Sequence, residues 1–107
     1  MTDIQPAFRA LADPTRRQIL MQLSQRDMTI AEIVDEFPLS RNAVKKHLIV
    51  LEEGRLICVH SRGRERVNKL EPKGLKFVAD WLKYFDHFWD SKLNALKQVV
   101  EQTEQKP

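Results

Sequence analysis

Several side chains that can bind DNA bases or phosphates stand within residues 40–46. Asparagine can form two hydrogen bonds to an adenine edge, and arginine or lysine can reach the acceptors of guanine. A serine hydroxyl at a helix start suits a phosphate. At 100° per residue, Asn42 and Lys46 lie nearly opposite an apolar stripe of Val44, Leu48 and Leu51. Lys45 flanks that outer face, and Arg41 lies in the exposed first turn. The pattern predicts an exposed helix face suited to the DNA major groove. It is formed by Ser40, Arg41, Asn42, Lys45 and Lys46.

Three alternating arginines follow downstream, Arg62, Arg64 and Arg66, with Gly63 between the first two. We expect them to project on one side of a short hairpin, toward phosphates or a narrow minor groove. A charged surface loop is the more ordinary interpretation of such a hairpin. Their position directly after the predicted DNA-reading helix favours the DNA contact.

The distribution of charge supports the same assignment. Residues 41–69 hold eight Lys and Arg against three Glu, a net charge of +5. Residues 1–40 sum to −2, and residues 70–107 sum to zero. A clustered positive charge indicates a polyanionic partner, and we expect that partner to be double-stranded DNA.

The surrounding elements predict how these residues are positioned. Thr29 and Glu32 form the pattern of a capping box that starts one short helix. Pro38 ends that helix, Ser40 caps the next one, and Gly54 is its expected C′ residue. Two strands at 56–60 and 65–70 then form a wing. The predicted fold is mostly α with a small β-hairpin, a winged helix-turn-helix with its helix-turn-helix at about 29–53 and its wing at about 56–70.

The last helix, starting at Glu71-Pro72, is predicted to mediate dimerisation. Its apolar residues recur at spacings of three and four, and a helix of about 30 residues spans about 45 Å. This exceeds what one small domain covers, so a second copy is expected on it. Residues 1–107 then form one domain, which dimerises through about 4–12 and 72–103. The expected interface residues are Ile4, Phe8, Leu11, Trp81, Leu82, Phe85, Phe88, Trp89, Leu93 and Leu96.

Other classes of protein receive little support. No apolar run reaches the length of a membrane span and no signal peptide is visible, so a cytoplasmic location is expected. Cys58 has no second cysteine to pair with, and the three histidines lack an evident nucleophile partner. We therefore expect neither an enzyme nor a cofactor.

The chain resembles the ArsR family of bacterial winged-helix repressors, in the subgroup without metal sensing. The matching stretches are Leu11–Leu20, Leu39–Glu52, Arg62–Arg66 and the aromatic Trp81–Leu96. The resemblance implies a homodimer that represses from an inverted-repeat operator, and an autorepressor type that acts on its own promoter. It also implies that His47 lies beside the DNA backbone and that Thr29 lies near a phosphate.

The sequence departs from the family pattern at three places. Ile49 stands where Lys or Arg is common, so one phosphate contact is expected to be lost. Gly54-Arg55-Leu56 replaces the usual Ala-Gly-Leu, which is expected to shift the turn into the wing. Residues 30–35 contain no thiolate, so the usual metal-binding box is absent.

Two alternatives remain open at this stage. The basic face could instead bind an acidic protein partner, as in a protein-interaction winged helix. The chain could also sense metal or oxidation through ligands that the family does not use. The candidates are Asp86, His87 and Asp90 for a metal and Cys58 for oxidation.

Overall fold

A computed structural model describes residues 3–104, so both ends of the predicted 1–107 domain lie outside the described residues. Six helices and three strands follow in the order α1 (Gln5–Leu11), α2 (Pro14–Gln25), β1 (Met28–Thr29), α3 (Ile30–Glu36), α4 (Arg41–Glu53), β2 (Ile57–Arg62), β3 (Glu65–Leu70), α5 (Pro72–Lys83) and α6 (Asp86–Glu104). The predicted winged helix-turn-helix is confirmed. Within the described range, no helix is long and apolar enough to span a membrane.

Side-chain caps start the helices where the sequence predicts them. Asp13 accepts from the Arg16 N–H, Ser40 from the Ala43 N–H, and the Thr29–Glu32 capping box is complete. Phe37, before Pro38, is extended with φ −129° and ψ 143°, so α3 ends there. The caps and the proline therefore make α3 and α4 two separate helices joined by a short turn.

The sheet has three antiparallel strands in the order β1-β3-β2, one more than the predicted hairpin. Met28 pairs with Asn68 and Thr29 with Val67. Asn68 is buried, and its Nδ2 donates to the Met28 carbonyl oxygen at 3.2 Å. The third strand fastens the hairpin to the segment that enters α3, so the wing and the helix-turn-helix form one unit.

The end of α4 differs from the prediction that Gly54 is the C′ residue. Gly54 has φ −78°, and Arg55 adopts the left-handed conformation with φ 58°. The Leu56 N–H bonds the Leu51 carbonyl and the Arg55 N–H bonds the Glu52 carbonyl, which is a Schellman motif with Arg55 at C′. Gly54 is needed for another reason, since a Cβ there would lie 2.8 Å from the Pro6 carbonyl oxygen of α1.

The predicted long C-terminal helical segment is present, but a turn at Tyr84 and Phe85 divides it into α5 and α6. The break is shallow, because the Tyr84 N–H still bonds the Asp80 carbonyl at 3.3 Å and the Trp89 N–H bonds the Phe85 carbonyl at 3.1 Å. The compact core lies in α1–α4, the sheet and the start of α5. The radius of gyration is 19.6 Å, against about 13 Å for a compact chain of this length. The segment after the core therefore extends away from it.

Replacing Arg55 by glycine should stabilise the protein. The left-handed conformation costs a non-glycine residue about 1–2 kcal/mol, and the greater freedom of glycine in the unfolded chain offsets part of this gain. We expect the free energy of unfolding in urea to rise by about 0.5–1 kcal/mol. Gly54→Ala is the matched control and should destabilise, because its Cβ meets the α1 backbone. Destabilisation by Arg55→Gly would contradict the assignment of the C′ residue.

Candidate nucleic-acid interface

The exposed face of α4 carries the side chains that the sequence singled out. Val44, Leu48 and Leu51 are buried, as predicted. The Ser40 hydroxyl oxygen accepts from the Ala43 N–H at 3.1 Å and so caps the helix. The predicted DNA-contacting residues of this helix are exposed and lie away from the core, namely Arg41, Asn42, Lys45 and Lys46. This face of α4 therefore exposes three cationic side chains and one amide side chain.

The start of α3 is held by a charged capping box. The Glu32 carboxylate accepts from the Thr29 N–H at 3.0 Å and from Arg26 Nη1 at 2.6 Å. The hydrogen bond from the Thr29 backbone, followed by that from Arg26, lowers the pKa of Glu32 to about 2. Thr29 is only 9% exposed, and its hydroxyl oxygen accepts from the Glu32 N–H at 3.2 Å. Its contact with a phosphate remains a prediction, whereas its role as a cap is visible.

The wing turns at Gly63, which has φ 64°. Arg62 pairs with Glu65 across the two-residue loop and Ser61 pairs with Arg66. Side chains alternate along a strand, so Arg62 and Arg66 lie on opposite faces of the hairpin. The prediction that all three arginines project on one side is therefore wrong. Arg62 instead faces Glu65, with Nη2 3.7 Å from the carboxylate Oε2.

A groove of about 470 Å³ separates α4 from the wing. Four basic side chains line it, namely Arg41, Lys45, Arg64 and Arg66. Leu48, Ile49 and Val59 contribute apolar surface, and Glu52 and Glu65 contribute negative charge. The fold thus brings together two arginines of the wing and two cations of α4, although they are separated by some twenty residues in the sequence.

His47 lies partly buried at the junction of α4 with α2. Its Nδ1 is 3.3 Å from Arg16 Nη1 and 4.0 Å from Asp13 Oδ2. The backbone hydrogen bond from Arg16 is the largest cause that lowers the pKa of Asp13. Sequence reasoning did not find the role of Arg16, although this arginine lies in the stretch Leu11–Leu20 that carries the family resemblance.

The predicted dimerisation residues fall into two groups. Seven are 37–60% exposed in a single chain, namely Trp81, Leu82, Phe85, Phe88, Trp89, Leu93 and Leu96. Ile4, Phe8 and Leu11 are instead partly buried against their own core. The rings of Phe8 and Trp81 meet edge-on with centroids 5.4 Å apart, which brings α1 to the start of the apolar face. Val99 and Val100 are likewise exposed and extend this face toward the end of α6.

The alternative sensor residues do not converge in one chain. Among residues 3–104, no three His, Cys, Asp or Glu side chains are grouped so that they could hold a metal ion. This includes Asp86, His87 and Asp90, which follow each other along α6. Cys58 is a partly buried free thiol on β2.

Two capped helices joined by a short turn, followed by a basic hairpin, define a winged helix-turn-helix DNA-binding protein. Comparison with known proteins agrees with this class. The sequence model of the family described as bacterial regulatory protein, arsR family, matches residues 13–58. The HTH-type transcriptional regulator Rv2034 of Mycobacterium tuberculosis is 38% identical over 95 residues, which are 89% of this chain and 86% of that protein.

Two further matches support the same assignment. The transcriptional repressor SdpR of Bacillus subtilis is 33% identical over 86 residues, covering 80% of this chain and 96% of SdpR. An ArsR-like transcriptional regulator from Rhodococcus sp. RHA1 has a similar structure, with a TM-score of 0.76 and 32% identity over 92% of this chain and 91% of that one. The chain therefore belongs to the ArsR family, and it is a DNA-binding transcription regulator and not an enzyme.

Substitutions at Asn42 and Arg64 should separate base recognition from backbone binding. Asn42→Ala should reduce discrimination at one base position by about 1–3 kcal/mol, because the amide can bond an adenine edge. Arg64→Ala should weaken binding to all sequences alike and reduce the salt dependence by about one phosphate contact. Titrations of specific and random duplexes at several salt concentrations measure both effects. An equal loss on both duplexes in Asn42→Ala would contradict its base contact.

Proposed function

We propose that this protein is a homodimeric repressor that acts in the cytoplasm and binds an inverted-repeat operator, including one at its own promoter. The observation that carries the proposal is the uncovered apolar face of α5 and α6, beside a fully formed DNA-reading unit. Repression is supported by the relative SdpR, which is described as a transcriptional repressor.

The apolar face of α5 and α6 is exposed to water in a single chain. Trp81, Phe88, Trp89, Leu93 and Leu96 each keep about half of their surface exposed in one chain. A contiguous apolar surface of this kind marks an interaction site. A second copy of the chain is the occupant with the same face and the same length, and two-fold symmetry pairs the two faces.

The apolar face of α6 is wide enough to contact more than one helix. On α6, Phe88, Trp89, Leu93 and Leu96 occupy a broader sector than the narrow seam of a two-stranded coiled coil. The Phe8–Trp81 contact brings α1 beside this sector. We infer that both helices of each chain take part in the dimer interface.

A two-fold dimer explains how a small domain reads a specific site. It can place two α4 helices about 34 Å apart, which is one turn of DNA, so that each reads one half of a palindrome. The groove cations Arg41, Lys45, Arg64 and Arg66 then neutralise phosphates in both halves. Such binding falls steeply as the salt concentration rises.

Selection of bound duplexes from a random pool tests the proposed function. We expect an inverted repeat with half-site centres about 10 base pairs apart, and retention of the chain's own upstream region in a gel shift. Enrichment of a single asymmetric site, or no enrichment at all, would overturn the proposal. Retention of an unrelated duplex to the same extent would remove the role at its own promoter.

Introducing a charge into the apolar face should separate the chains. Leu93→Glu places two unpaired carboxylates in the proposed dimer interface, which costs several kcal/mol, whereas in the single chain Leu93 is 59% exposed and lies outside the core. We expect a monomer by sedimentation and an operator affinity reduced about 100-fold or more. Asn94→Glu, which adds the same charge on the polar side of α6, should remain dimeric. A dimeric Leu93→Glu with full affinity would exclude this interface.

A further inference from the structure

One guanidinium joins the end of α1 to the DNA-reading helix. Arg16 Nε donates to the Ala10 carbonyl oxygen and Nη2 to the Arg9 carbonyl oxygen, both at 2.8 Å. These two carbonyls belong to the last turn of α1. The remaining terminal nitrogen, Nη1, lies 3.3 Å from His47 Nδ1 on α4. Arg16 therefore contacts the helix that precedes α2 and the helix that reads DNA.

The chemistry of arginine decides which ring nitrogen of a neutral His47 carries the proton in this contact. A guanidinium has five N–H donors and no acceptor, so Nη1 must donate to Nδ1. Nδ1 can accept only when it carries no proton. In the neutral imidazole the single proton then resides on Nε2, and this nitrogen becomes a donor.

The second nitrogen of His47 is available to a ligand. Among residues 3–104, Nε2 has no hydrogen-bond partner, and no unpartnered side-chain nitrogen or oxygen is buried there. An Nε2 without a partner is therefore not a buried atom, in keeping with a side chain that is 21% exposed as a whole. The adjacent residue is Lys46, which is on the exposed face of α4.

We propose that Arg16 is a positioning residue for DNA binding, which holds His47 as the Nε2–H tautomer so that this N–H donates to a phosphate oxygen. The inference rests on the proposed operator binding and deepens it. Arg16 itself touches no DNA in this account. It restricts both the orientation of the imidazole ring and the position of its proton. Its own position is fixed by its two hydrogen bonds to the end of α1.

Asp13 is the competing neighbour of the same nitrogen. Its Oδ2 lies 4.0 Å from His47 Nδ1, and the same oxygen already accepts from the Arg16 N–H at 3.0 Å. Protonation of Nδ1 would turn this nitrogen from an acceptor for Arg16 into a donor toward Asp13. Arg16 is closer to Nδ1 than Asp13, whose carboxylate oxygen is already engaged by the Arg16 N–H, so the arrangement favours the tautomer in which Nδ1 carries no proton.

Arg17 offers a matched control for the experiment. Its Nη1 donates to the Leu11 carbonyl oxygen at 2.8 Å, so it also caps the end of α1, and no hydrogen bond within residues 3–104 links it to α4. Arg16→Ala and Arg17→Ala thus remove the same charge and a cap on the same helix. Only the first removes the donor to His47. Arg16→Lys keeps the charge but lacks the planar fork, and it serves if Arg16→Ala does not fold.

The first measurement is the imidazole ¹⁵N spectrum of the free protein at pH 8.5. We expect the Nε2–H form to dominate in the wild type and in Arg17→Ala. The Arg16 variants should show a mixture of tautomers. The same tautomer distribution in all variants would overturn the proposal.

The second measurement is a double-mutant cycle on operator affinity. Arg16→Ala should lower the affinity in the wild type by up to about tenfold, the value of one whole charge-assisted hydrogen bond, because neither the ring orientation nor the proton position of His47 is then restrained. It should lower it by no more than about twofold when His47 is already alanine, because the shared contact is gone. Additive losses would overturn the proposal. Failure of the wild type to bind DNA would overturn the proposed function. It would leave the tautomer result unaffected, because the tautomer is measured on the free protein without DNA.

Discussion

Side chains along α5 and α6, including Trp81, Phe88, Trp89, Leu93 and Leu96, form an apolar surface that remains about half exposed in one chain. The remainder of the described chain leaves this surface uncovered. The core of α1–α4 and the sheet is closed, whereas α6 has none of its residues in that core. A single chain thus completes its DNA-reading unit and leaves its C-terminal helices to be covered. In the proposed dimer, coverage of this surface by a second copy would also set the spacing of the two α4 helices.

Helix α1 lies between these two parts of the molecule. Phe8 touches Trp81 at the edge of the apolar face, and Pro6 and Ala7 approach the end of α4 so closely that Gly54 leaves no room for a Cβ. Arg16 binds the other end of α1 and reaches His47. These contacts make α1 the packed link between the apolar face and α4. The Schellman motif at Arg55 sets the direction in which the chain leaves α4 toward the wing.

Local interactions account for what could be predicted from the sequence. The caps at Asp13, Thr29 and Ser40, and the stop at Pro38, depend on residues within four positions of each other. Features that depend on distant partners were missed. β1 has two residues and exists because β3 pairs with it. Arg62 faces away from Arg66 because the turn at Gly63 sets the register of the hairpin. The Arg16–His47 contact joins residues 31 positions apart, and no spacing pattern signals it.

The central claim is that a rigid two-fold dimer holds two DNA-reading helices at a fixed separation. The most direct test inserts five base pairs between the half-sites of the selected operator, which moves one half-site to the opposite face of the duplex. A rigid dimer loses the second contact, so the affinity should fall about 100-fold, to the level of a single half-site. An unchanged affinity would show that the two α4 helices are not coupled and would contradict the account.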